Sequence, residues 1–209
     1  MYLYHVSLIP VTEFIPRIPT ERAHGEDKNI YRICIAPSIE NCINAMPGGA
    51  SSISILKELG ITPILFIYEF KLRVNAKGLR YPHDISKMVP DADTTHEYWL
   101  TEKPTFVQEY VFQVEQITTK PHQDLLQRWI YPIVQIQYSP VSVYKDNITA
   151  LREKYVEYPD VLEKVDCLLQ RYGIRTLLWN MYDMKMAQIR KKEGVEMNEK
   201  DMVDITLME

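Results

Sequence analysis

The chain has 209 residues, of which 46% are hydrophobic and 25% charged, with a formal net charge of -4 and a pI near 5.8. That length supports one well-filled core, alone or with an appendage, and the acidic balance excludes the basic face that charge-driven binding of DNA or RNA requires. Three cysteines without metal-ligand spacing read as free thiols of a reducing compartment. With no leader-like start and no apolar run of roughly 20 residues, the expectation is a cytoplasmic protein that makes no use of a membrane.

Residues 2–9 are rich in β-branched and aromatic side chains and stop at Pro10, the pattern of a strand. Pro10, Pro16 and Pro19 keep the following segment extended and irregular, and residues 23–29, polar around Gly25, read as a loop. Residues 30–36 form a second apolar strand; Pro37 then suits the first turn of a helix over 38–46, which ends at Pro47-Gly48-Gly49. A short helix follows, with Ser51 or Ser52 as its cap and Gly60 just past its end. Residues 63–74 carry the strongest strand signal, apolar at the front and alternating at the back. The polar stretch 75–95 reads as a surface loop. Residues 106–117 alternate again, and 129–143 hold a further strand or two between prolines.

The texture changes after Lys145. Asp146 or Asn147 can cap a helix that Pro159 breaks. Val161, Leu162, Val165, Leu168, Leu169 and Tyr172 then recur at helical spacing up to Gly173, and a longer helix from Ile174 runs to Lys192, with Gly194 as its stop. This divides the chain at 1–145, mixed with a strand bias, and 146–209, a helical segment that is either a small bundle or a cover for one face of the sheet. The cluster Arg190-Lys191-Lys192 reads as dipole complementation at a helix end.

The phosphate loop, the dinucleotide glycine fingerprint, the zinc-protease helix and the nucleophile elbow are all absent. The five histidines (His5, His24, His83, His96, His122) have no metal-ligand spacing, so no metal is expected. Cys34 and Cys42, in apolar surroundings without a basic neighbour, read as small core residues. His5 lies inside an apolar strand, with Ser7 on the same side two residues on. Glu109 shares a face with Val107 and Val111, where a carboxylate is costly unless it lines a cavity or has a partner. Taken singly, His5 reads as a hydrogen-bonded core histidine and Glu109 as a solvated edge residue. Taken together they suit a cleft for a hydroxyl-rich ligand.

Three segments in order carry a resemblance: Tyr4-His5-Val6-Ser7; Arg32-Ile33-Cys34-Ile35-Ala36 followed by a helix start; and Gln108-Glu109-Tyr110-Val111-Phe112. With residues 64–72 as a central strand, they resemble the ADP-ribosyltransferase family, in particular its poly(ADP-ribose) polymerase branch, over residues 2–118. The resemblance implies an α+β fold of split mixed or antiparallel sheets with short helices, to which the helical C-terminal segment is added. It implies NAD as substrate and a macromolecular acceptor, a protein, for single transfer of ADP-ribose. It carries His5 to a ribose hydroxyl, the Val6 backbone and Ser7 to the nicotinamide, Ala36 to the second strand of the site, and Glu109 to the ribose 2'-hydroxyl beside an oxocarbenium-like transition state. Arg17 is the candidate for the diphosphate. Cys34 stands where the branch has Tyr and Val6 where it has Gly; Tyr31 is the neighbouring aromatic. These departures point away from polymer synthesis and toward single transfer, NAD hydrolysis or nucleotide binding. Glu97, in His96-Glu97-Tyr98-Trp99, is the alternative acidic residue. By analogy the transferase would be a bacterial or phage effector; the competing reading is an inert member of the same fold that binds or inhibits a host or defence partner.

Overall fold

The apolar run at 64–71 is buried at nearly every position, so its backbone groups must be satisfied by neighbouring strands on both sides. In the computed structural model, which describes residues 1–20, 27–89, 92–123 and 129–192, that is its place. Strand β3 (Ile64–Lys71) lies between β1 (Tyr2–Ser7) and β6 (Gln108–Gln123), and β7 (Trp129–Pro140) closes the order β1-β3-β6-β7. A second sheet has the order β2-β5-β4, from β2 (Ile33–Ile35), β4 (Leu79–Arg80) and β5 (Tyr98–Leu100). Every strand pair in both sheets is antiparallel. The chain is thus an α+β protein with antiparallel sheets and several short helices. The loop expected around Gly25 and the helix stop at Gly194 fall outside the described residues.

Alternation along β1, β3 and β6 gives the main sheet two different faces. One carries Val6, Leu65, Ile67 and Val114 into a core shared with helices α1 (Ile39–Ala45), α2 (Gly49–Glu58), α5 (Asn147–Lys154), α6 (Pro159–Tyr172) and α7 (Ile174–Lys192). The other carries Leu3, Phe66, Tyr68 and Phe70 toward Ile33, Ile35 and Leu100 of the small sheet. Helices α5, α6 and α7 bury Leu151, Val165, Leu177 and Leu178 completely within the first core, so the helical third covers the sheet and has no core of its own. Asn147 fastens that join. Fully buried at the N-terminus of α5, it donates from Nδ2 to the carbonyls of Leu8 (2.7 Å) and Ile64 (2.8 Å) and accepts from the Ile64 amide at 2.9 Å.

The helix starts follow local chemistry. Ser38 accepts from the Asn41 amide, and Asp146 accepts from those of Ile148 and Thr149. Helix α2 begins at Gly49, before the serines expected to cap it, because Gly48 takes the left-handed conformation (φ 65°) and turns the chain directly into it. The stretch expected to be a loop, 75–95, instead holds β4, α3 (Pro82–Ile85) and α4 (Ala92–Thr95). Ile85, Val89 and Ala92 form a small buried cluster there with Trp99, too short in sequence for a helical period to show.

Candidate functional site

A cavity of about 260 Å³ opens beside the end of β1. Its walls are the end of β1, the extended segment 8–20, strand β2, the end of α1 and the start of α7. The prolines at 10, 16 and 19 keep residues 8–20 out of either sheet except at one bridge, where Arg17 and Arg32 exchange backbone hydrogen bonds of 3.1 and 3.0 Å. Strand β2 is held against β1 at a second bridge, Tyr4 to Ala36, with bonds of 2.7 and 2.8 Å.

Six of the residues expected from sequence meet in this cavity: His5, Val6, Ser7, Arg17, Cys34 and Ala36. His5 Nδ1 lies 2.8 Å from the Cys34 carbonyl. A carbonyl only accepts, so Nδ1 carries the proton and Nε2 keeps its lone pair. Burial pushes the imidazole pKa below its usual value; the Cys34 bond opposes that shift, and the positive charge of Arg17 adds to it. The ring is therefore a neutral acceptor at pH 7. Val6 shares its strand parity with Tyr4, so its N–H and C=O point away from β3 toward the bridged edge. Its amide acts there on the sulfur of Cys42, whose pKa burial drives far up. Ser7 Oγ accepts from the Ile9 amide at 3.2 Å. Arg17 is exposed at the rim.

Two expected residues lie elsewhere. Tyr31 is 64% exposed and does not line the cavity. Glu109 is also exposed and outside the wall, but it falls in register with the site. His5 pairs with Tyr68, and Tyr68 pairs with Glu109, so the three side chains form one row across β1, β3 and β6 on one face. Two strand spacings separate the ends of that row, about 10 Å. Glu97, the alternative acid, does line the cavity, at 4% exposure. It accepts from Trp99 Nε1 at 2.7 Å, and the guanidinium of buried Arg32 sits 4.1 Å from the centroid of the same indole. His96, immediately before Glu97, is held at φ 53°, in the left-handed region that non-glycine residues seldom adopt.

Three contributors were not singled out from sequence. Tyr68, in the middle of the row, sets its ring against His5, with centroids 6.2 Å apart, and its hydroxyl oxygen accepts from the Val11 amide (2.7 Å). Phe14 meets His5 edge-on at 5.4 Å and Tyr68 at 4.8 Å. Arg32 was visible only as a strand residue. A polar-tipped aromatic inside an otherwise apolar strand was the available signal for Tyr68. Among the described residues no group of His, Cys, Asp or Glu is placed to hold a metal ion, and no helix is long and apolar enough to cross a membrane. In comparisons with family models, curated proteins and solved structures, nothing matches the chain.

Proposed function

We propose that this protein binds NAD in the cavity beside His5 and transfers a single ADP-ribose from it to a protein acceptor. The observation that carries the reading is the row His5, Tyr68, Glu109, together with Arg17 at the rim. The cavity volume of about 260 Å³ suits the nicotinamide–ribose half of the dinucleotide; whole drug-sized ligands occupy about 300–1,000 Å³. The diphosphate then leaves past Arg17, whose planar fork matches phosphate oxygens. His5 Nε2, an acceptor, takes a hydrogen bond from a ribose hydroxyl. Phe14, in the cavity wall, offers its ring to the nicotinamide, and Tyr68 backs it from beneath. Glu109 accepts from the ribose 2'-hydroxyl and stabilises the positive charge that develops at C1. The bond from C1 to the nicotinamide nitrogen breaks, its electron pair leaves with nicotinamide, and an acceptor nucleophile bonds to C1 while giving up its proton.

The exposure of Glu109 favours one second reading, nucleotide binding without turnover. Two measurements separate the possibilities: nicotinamide release from NAD, and the melting temperature at millimolar NAD. Release that vanishes in Glu109→Gln and His5→Ala supports transfer. A melting shift without release supports binding alone. Neither release nor shift overturns both.

A further inference from the structure

Beside α1, the helix-side face of the main sheet presents Tyr4, Tyr110, Phe112 and Tyr138, with the carboxylates of Glu69 from β3 and Glu40 from the first turn of α1. Register sets Tyr4 opposite Glu69, and Tyr4 Oη donates to Glu69 Oε2 at 3.3 Å. The Phe112 ring meets Tyr138 edge-on at 5.1 Å and lies 6.4 Å from Tyr110. Tyr110 is exposed, and the other three aromatics are half-buried, so ring faces and edges remain open to solvent. The phenols sense the acids: burial and then Glu69 raise the pKa of Tyr4, and burial and then Glu40 raise that of Tyr138. Among the described residues neither carboxylate has an ion-pair partner. Lys71, farther along β3, lies over the Tyr2 ring instead.

We propose that this tyrosine-rich patch docks a basic segment of a partner protein, taking a Lys or Arg head group against the rings and the two carboxylates. Charge complementarity selects the occupant. Aromatic faces are negative and attract cations, and two carboxylates that form no ion pair among the described residues add to that field. The same charges repel the phosphates of a nucleic acid, although bases alone would stack here. Tyr side chains lose little conformational entropy on contact, which suits a recognition surface. The patch lies on the sheet face opposite His5, so its occupancy is independent of the NAD reading.

The test is fluorescence anisotropy of a labelled hexa-arginine peptide on the full chain at low salt. The wild type binds. Glu40→Gln/Glu69→Gln weakens binding about tenfold, and Tyr110→Ala about fivefold. The charge-matched double variant Glu157→Gln/Glu163→Gln, at exposed positions in the α5–α6 turn and in α6, stays within about twofold. Circular dichroism checks that each variant is folded. The proposal is overturned if the wild type does not bind at millimolar peptide or if the two double variants lose binding equally. Tighter binding of labelled oligothymidine than of the peptide overturns it too.

Discussion

The two faces of one sheet have been put to different uses. Val6, Leu65, Ile67 and Val114 point one way, into aliphatic side chains from five helices. His5 and Tyr68 point the other way, beneath Phe14 of a proline-stiffened segment, and Glu109 continues their row at an exposed position. The strands are the same and so is the backbone; only residue parity differs. A filled face supplies free energy and tolerates no polar group without a partner. A face packed against a small sheet and an extended segment can also hold an imidazole and a phenol beside its apolar side chains. Both faces bury apolar side chains, Leu3, Phe66 and Phe70 on the second, but the residues of the proposed chemistry stand on the second alone.

That contrast is open to direct attack. Leu177→Ala, in the fully buried interface of α7, should cost about 3 kcal/mol in denaturant unfolding; a cost under about 1 kcal/mol would mean that α7 does not share the core. Glu109→Gln, on the second face, should lower nicotinamide release by about 100-fold, or about 2.7 kcal/mol of barrier. Its unfolding free energy should stay within about 0.5 kcal/mol of wild type, because the side chain is exposed. Loss of both activity and stability would place Glu109 among the structural residues. Asp146→Ala removes the cap of α5 and should cost about 1 kcal/mol. Burial is the largest single influence on the Asp146 carboxyl and raises its pKa, but the hydrogen bonds from Thr149 and Ile148 together outweigh it and leave the group below its usual value. Its contribution is thus present above pH 3.8, the ordinary value, and fades as pH falls through the folded-state value.

The smallest effect sharpens the comparison through pH. His5 titrates lower in the folded protein than its ordinary 6.5, so between those values the unfolded chain binds more protons. The melting temperature should fall as pH drops below about 6.5, and His5→Gln should flatten that part of the profile. An unchanged profile would mean that the imidazole is well solvated.

Much of this was legible beforehand because local chemistry repeats the tertiary answer. The aromatic and β-branched runs at β1, β3 and β6, the Asp146 cap and the Pro159 break each carry their own physical reason, whereas Pro37, expected in the first turn of α1, precedes the Ser38 cap. The residues meeting at the cavity were legible as well, since His5 and Arg17 are conspicuous among apolar and proline-rich neighbours. Stretch 75–95 was misread because its elements are two to four residues long and gain stability only from packing around Trp99. Helix α2 was placed late because a left-handed Gly48 leaves no pattern of its own in the sequence.

The amino-acid order by itself determined the longer strands and helices, and which side of those strands was apolar, since those are properties of neighbours along the chain. Only the tertiary structure decided that Tyr68 would stand between His5 and Glu109, that Glu97 would reach the cavity while Glu109 stayed at its margin, and that the last three helices would close one face of the sheet. Strand register and helix docking depend on contacts between residues tens of positions apart, and no local periodicity encodes those distances.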